Sequence, residues 1–245
     1  MSDYGPETYG ERWAEIYDEF AVGMASDPEL AANLLAELAG GGPALELAIG
    51  TGRVALPLAS RGVAVHGIDA SEAMVRRLRE KPGGADIPVT VGDFADVPVD
   101  ESYPLIYVVF NTFFALLTQD DQVRCFENVA SHLNDGGVFV AEAFVPELSR
   151  FDQGQRTETR SAEPDRLVLT GSTHDRAKQR IDVTQADITA QGVKLYPVQM
   201  RYAYPPELDL MAKLAGLRLR ERWGGWDRAP FGKDSRSHVS VYERG

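Results

Sequence analysis

From residue 44 to residue 145 short apolar runs alternate with longer amphipathic stretches, an order that few folds accept. The runs Ala44–Ile49 (ALELAI), Val63–Ile68 (VAVHGI), Pro88–Val91, Leu105–Phe110 and Val138–Val145 have the length and residue types of strands. Between them, Arg53–Ser60, Ser71–Lys81 and Gln119–Leu133 read as helices, although Pro57 weakens the first. Strands apolar on both sides need cover on both faces, which predicts a mostly parallel sheet between helix layers. Right-handed crossovers bring the loops after those strands to one edge, where ligands of such sheets bind. Gly50, Asp69, Asp93 and Asn111 stand at that edge.

The flanks add to this core. Trp13, Ile16, Tyr17 and Phe20, then Leu30, Leu34, Leu35 and Leu38, recur at helical spacing, with Gly23 and Pro28 separating two helices. Residues 151–165 are polar and carry no clear pattern. Arg166–Thr173, Arg180–Ile188 and Val193–Tyr204 alternate as an antiparallel meander does. A helix over Glu207–Ala215 and strands over Leu217–Trp223 and His238–Arg244 return to the main sheet. The chain thus divides into a helical lid (1–42), an α/β core (43–150), a β insertion for substrate or subunit contacts (151–205) and a closing segment (206–245).

Lys plus Arg number 25 and Asp plus Glu 37, a formal charge of −12. A field of that sign disfavours nucleic acid and anionic membranes, while a local Arg can still hold a phosphorylated small molecule. Cys125 is the only cysteine, so no internal disulfide or cysteine metal cluster forms. No apolar run approaches the roughly 20 residues of a membrane span, and a cytoplasmic setting is expected. A homodimer is the commonest soluble assembly, but no residue pattern here specifies one.

Three motifs carry chemistry. In Glu46-Leu47-Ala48-Ile49-Gly50-Thr51-Gly52-Arg53 the glycines follow a strand and precede a helix, as a tight turn or as a cradle for a ligand. Asp69 ends the second strand, placed either to accept ribose hydroxyls or to cap the next helix. Asp93, in Gly92-Asp93-Phe94, is either a turn residue or an acceptor for an exocyclic amine with Phe94 beside the base.

Together these motifs resemble the class I S-adenosylmethionine-dependent methyltransferases, over residues 1–145 and 205–245. The resemblance implies a Rossmann-like fold with a seven-stranded sheet, to which the antiparallel insertion is added. It implies that Glu46, Gly50 and Gly52 wrap the methionine part of the cofactor, that Asp69 binds its ribose and that Asp93 and Phe94 meet its adenine. Tyr17, Ala48, Arg53, Ala70, Met74, Gly92 and Asn111 complete the implied cofactor set. Ala48 and Ile49 depart from the commoner E-x-G-x-G-x-G form, and Ala48 then needs a permissive backbone angle. Trp13-x-x-x-Tyr17-Asp18, Asn111-Thr112-Phe113-Phe114 and the late β insertion look like small-molecule N-methyltransferases of antibiotic pathways, acting on nucleotide-linked amino sugars or lincosamide amines. In those enzymes an aromatic helix closes over the cofactor, which implies that Tyr17 contacts the methionine moiety and that Tyr9 lies nearer the acceptor.

In-line methyl transfer needs alignment and exclusion of water but no metal. An amine can lose its proton before binding, whereas a hydroxyl usually needs a base. His66 and His132 read as structural, while His174 and His238 stand where either can reach a cavity mouth. No obvious base is placed, which favours an amine. Tyr9, Tyr17 and Asn111 are the catalytic candidates, and Tyr9, Phe113, Phe114, Phe144 and Trp226 the acceptor wall. The competing readings are an O-methyltransferase acting on a sugar or other hydroxyl, a nicotinamide-dependent oxidoreductase and a non-catalytic S-adenosylmethionine-binding scaffold.

Overall fold

The alternation along each apolar run divides its side chains between two cores. A computed structural model describes residues 4–22 and 25–245; the predicted helix separator Gly23 lies outside them. Seven strands form the main sheet: β1 (Ala44–Leu47), β2 (Val65–Asp69), β3 (Val89–Val91), β4 (Tyr103–Val108), β5 (Leu133–Phe144), β10 (Leu217–Trp223) and β11 (Ser237–Arg244). Their order is β10-β11-β5-β4-β1-β2-β3, all running in one direction except β11, which is antiparallel to both its neighbours. Leu45, Leu47, Ile106, Val108, Phe139 and Ala141 face a core shared with α6 (Gln119–His132) and α7 (Pro205–Leu214). Ala44, Leu105, Tyr107, Val138 and Val140 face the opposite core, under α3 (Pro28–Ala39) and α4 (Ala55–Ser60). The chain leaves β1 toward β2 on one side and later returns as β4 on the other. That reversal opens a crevice at the carboxyl ends of β1 and β4, the position at which such sheets bind ligands.

Several local expectations shift for identifiable reasons. Pro57 sits in the first turn of α4, where its missing N–H is not needed. The first predicted helix breaks into α1 (Thr8–Trp13) and α2 (Tyr17–Ala21). Residues 151–165 contain a strand, so the insertion has four strands rather than three. These are β6 (Gln155–Glu163), β7 (Arg166–Asp175), β8 (Arg180–Thr189) and β9 (Gly192–Arg201), antiparallel in that order. Trp13 joins this sheet to the N-terminal helices, stacking near Tyr196 at 5.2 Å and donating its indole N–H to the Pro197 carbonyl at 3.1 Å.

Among the described residues no helix is long and apolar enough to cross a membrane.

Candidate active site

After β1 the chain passes through Ala48, Gly50 and Gly52 with φ of 55°, 57° and 77°. A Cβ at Gly50 would meet nothing within 4 Å, whereas one at Gly52 would lie 2.3 Å from Leu78 Cδ1. Gly50 therefore keeps the turn open to a ligand, and Gly52 lets it pack on α5 (Glu72–Arg79). Ala48 holds the permissive angle its motif departure requires. Left-handed backbone costs a residue with a Cβ about 1–2 kcal/mol, partly offset by the entropy glycine loses on folding. Ala48→Gly is expected to stabilise the fold by about 0.5–1 kcal/mol, seen as a higher urea midpoint; an unchanged or lower midpoint would refute the strain.

Asp69 ties this turn to the next loop. Its Oδ2 accepts the Gly50 N–H at 2.7 Å and its Oδ1 the Ser71 N–H at 2.8 Å. The helix cap is Ser71, whose Oγ accepts the Met74 N–H at 3.2 Å. Burial pushes the Asp69 carboxyl up to about 6, against the lowering by its two backbone donors. Asp18, next to Tyr17, clamps the same turn from α2: it accepts Thr51 Oγ1 at 2.6 Å and Lys81 Nζ at 2.9 Å.

A cavity of about 280 Å³ opens beside the turn, lined by Tyr9, Tyr17, Ala48, Gly50, Asp69, Ala70, Met74, Asp93, Phe94 and the loop at Thr112–Leu117. Three other predicted residues stand behind it. Gly92 extends the sheet by donating to the Asp69 carbonyl at 3.0 Å. Glu46 is buried under the turn and accepts the Tyr107 hydroxyl at 3.0 Å, with burial raising its pKa to about 8. The Arg53 guanidinium lies 5.3 Å over the Phe110 ring and donates Nη1 to the Ser26 carbonyl at 2.8 Å. Its Nε and Nη2 are buried without a partner among the described residues.

A second cavity of about 290 Å³ adjoins the first, and Tyr4, Tyr9, Tyr17, Thr112 and Ala115 line both. Trp13, Phe20, Phe110 and Phe144 form its aromatic side with Asn111 beside them, and Arg160, Thr170, Val183, Gln185, Val198 and Met200 of the insertion form its roof. Among the described residues no carboxylate or imidazole lines it. Burial holds the Tyr9 and Tyr17 hydroxyls above the usual phenol range, so both stay neutral.

Phe110 and Asn111 both have left-handed backbones, φ 54° and 64°. Glu142 holds them: its carboxylate accepts the Phe110 N–H at 2.7 Å and its carbonyl the Asn111 N–H at 3.2 Å. The Asn111 Oδ1 accepts the Phe144 N–H at 2.6 Å, which turns the NH₂ group away from that strand, and among the described residues the NH₂ has no partner.

Three members of the predicted acceptor wall lie elsewhere. Phe113 and Phe114 turn into the core, 5.3 Å from Phe126 and 5.0 Å from Phe144 respectively, because the turn after β4 directs them under the sheet. Trp226 packs in the core on the α3 side, with Val239 and Val241. None of the histidines lines either cavity. His66 bridges Tyr103 and Thr90, and His132 bridges the Asn128 and Val99 carbonyls. His174 meets the Tyr202 hydroxyl at 3.0 Å, and buried His238, lowered by burial to about 4, meets Ser240 at 2.8 Å. Cys125 is buried, its thiol pushed up by desolvation. Among the described residues no group of three or more His, Cys, Asp or Glu could hold a metal ion. The sequence reading passed over Tyr4, Phe110 and the roof residues. Val183 with Gln185, and Val198 with Met200, carry the only signal, the two-residue period of one strand face.

Residues 44–137 match the model of a methyltransferase domain. The cypemycin N-terminal methyltransferase of a Streptomyces species is 30% identical over 246 residues, spanning 100% of each chain. The structure of the CcbJ methyltransferase from Streptomyces caelestis is 40% identical, covers 99% of this chain and 100% of that one, and superposes with a TM-score of 0.93. The S-adenosylmethionine-bound CalS10 of Micromonospora echinaspora, an amino pentose methyltransferase, shares the fold at 20% identity and TM-score 0.70, covering 94% and 97%. Neither the oxidoreductase nor the scaffold reading survives these likenesses, and the chain belongs to the S-adenosylmethionine-dependent methyltransferases.

Proposed function

We propose that this methyltransferase acts on an amine nitrogen of a small molecule, an amino sugar or a cyclic amine of a natural-product pathway. One observation carries the reading: the second cavity is walled by aromatic rings, adjoins the first at Tyr9 and Tyr17, and presents no carboxylate or imidazole among its described lining residues. A hydroxyl acceptor would find no base there. An amine needs none once it arrives deprotonated. The names of relatives agree, since CalS10 is an amino pentose methyltransferase and the cypemycin enzyme an N-terminal one.

The first cavity fits the cofactor on an observation of its own. Arg53 has two buried donors without partners among the described residues, and Glu46 holds a buried carboxyl beside the same turn. Such groups suit the carboxylate and ammonium of an amino acid. When bound, S-adenosylmethionine supplies a methyl group already activated on a sulfonium sulfur. Asp69 accepts ribose hydroxyls with the lone pairs that Gly50 and Ser71 leave free. Asp93 accepts from the adenine amine, and Phe94 packs along the ring. Tyr9 and Tyr17, rigid and neutral, align the acceptor and exclude water, and their rings favour positive charge near the junction. The amide NH₂ of Asn111 orients a polar group of the acceptor.

The test is a pH–rate profile with amino-sugar and cyclic-amine acceptors of different basicity. With free pKa values of about 8–10, kcat/KM is expected to rise about tenfold per pH unit up to the pKa of each amine. The break is expected to move with the acceptor. A break fixed near neutrality for every acceptor, or transfer to hydroxyls alone, would overturn the amine reading.

A further inference from the structure

Beyond the aromatic cavity lies a groove of about 900 Å³ that shares Asn111, Phe144, Arg160, Thr170, Val183 and Met200 with it. In a chain of charge −12, five of the groove's lining residues are cations: Arg150, Arg156, Arg160, Lys233 and Arg236. Only three are acids, Glu147, Glu158 and Asp234. Glu158 is taken by Arg156, and Glu147 stands 3.9 Å from Arg150. Arg160, Lys233 and Arg236 have no carboxylate partner among the described residues, and Arg160 makes only a 3.4 Å contact to Thr170 Oγ1. Arg156, Glu158 and Arg160 alternate along the edge strand β6, so one face of it looks into the groove. Lys233 and Arg236 approach from the loop before β11.

We propose that this groove binds an oxyanion, a phosphate or a carboxylate, carried by the acceptor at a distance from its amine. The inference rests on the amine reading for the contents of the aromatic cavity, but the charge of the groove is independent of it. Far from the protein, the negative net charge repels an anionic acceptor, so it is held only where cations are concentrated and unpaired. Guanidinium groups supply paired donors that match an oxyanion. The aromatic cavity offers an oxyanion only Arg160, at the boundary it shares with the groove, whereas Lys233 and Arg236 line the groove alone. The acceptor therefore lies with its amine end between Tyr9 and Tyr17 and its acidic end among Arg160, Lys233 and Arg236.

The test uses the full chain saturated with S-adenosylhomocysteine, titrated calorimetrically at low salt with inorganic pyrophosphate and, separately, with citrate. Saturable binding is expected, weakened at least tenfold in Lys233→Gln/Arg236→Gln, with the affinity for S-adenosylhomocysteine unchanged. Both positions are exposed and outside the two smaller cavities, so the double variant keeps the fold. Preference for pyrophosphate names a phosphate, and preference for citrate a carboxylate. No binding of either anion, or equal binding by the variant, overturns the oxyanion site. Failure to bind S-adenosylhomocysteine would instead overturn the cofactor site and with it the amine reading.

Discussion

Arg201→Ala is expected to destabilise the protein by about 3 kcal/mol, because it leaves the buried Gln122 oxygen without its donor and the partly buried Glu207 without its cation. Arg201 ends β9 and is 5% exposed. Its Nη2 donates to Glu207 Oε1 at 2.7 Å and to Gln179 Oε1 at 3.1 Å, and its Nη1 donates to Gln122 Oε1 at 2.5 Å. Gln122, fully buried on α6, passes the contact on to the Leu116 carbonyl at 3.1 Å and the Arg201 carbonyl at 2.8 Å. Gln179 and Gln119 donate to Glu207 from the other side, at 2.8 and 2.9 Å. This network fastens the insertion to α6 and α7 and holds the loop that lines the first cavity. Burial works against the Glu207 charge, but the hydrogen bonds from Arg201 and Gln179 outweigh it and hold its carboxyl below the usual range. A depressed carboxyl stabilises above the ordinary pKa of about 4.3, and the gain is lost as pH falls through the lower folded value. Urea unfolding at pH 7 measures the prediction. A loss under about 1 kcal/mol would show that the network only decorates the interface. Arg201→Met/Glu207→Gln is expected to lose less than the sum of the two single changes, because neither charge is then left alone.

The centre of the main sheet was legible because its strands are buried on both faces, so β4 appears as an apolar run and β1 as one interrupted only by Glu46. The edge strand β6 was not. QRTETRSAE holds no large apolar residue, and only its ladder with β7 makes it a strand. The loops that line the first cavity were legible by position, since Gly50 and Asp93 follow the first and third strands and Asp69 ends the second. The acceptor wall was legible by residue type but not by direction. Phe113 and Phe114 belong to a single turn, Thr112–Ala115, that rotates both rings into the core while Thr112 and Ala115 face the cavities. Tyr4, Phe20 and Met200 meet there across nearly the whole length of the chain, which no local period reports. Asn111 follows β4 at the expected edge, but which way its amide faces is set by the Phe144 N–H, a contact from another strand that the sequence does not report.

Asp69→Ala is expected to cut affinity for S-adenosylhomocysteine by about a hundredfold at pH 7.5, since two hydrogen bonds from hydroxyls to a charged acceptor are worth about 3 kcal/mol. Asp69→Asn is expected to lose a similar amount. Gly50 and Ser71 both donate to the carboxylate, so one of them would face the amide NH₂ of asparagine, donor against donor. The pH dependence separates this role from general damage to the turn. The folded carboxyl titrates at about 6 and the ordinary one at 3.8. The empty fold therefore gains relative stability as pH falls from about 6 toward 4, because it retains a proton the unfolded chain releases. Ribose hydroxyls need the ionised form as acceptor, so binding expels that proton. Affinity in the wild type is then expected to fall toward tenfold per pH unit below about 6, while Asp69→Ala stays flat across that window. Glu46 is raised to about 8 chiefly by burial and only in lesser part by the Asp69 charge, so it stays protonated below about pH 6 and its own titration lies above the window compared. Calorimetry from pH 5 to pH 8 supplies both curves. Parallel curves, or a loss at pH 7.5 of only about threefold (well under 1 kcal/mol), would leave Asp69 as a tie between two loops and move the ribose contact elsewhere.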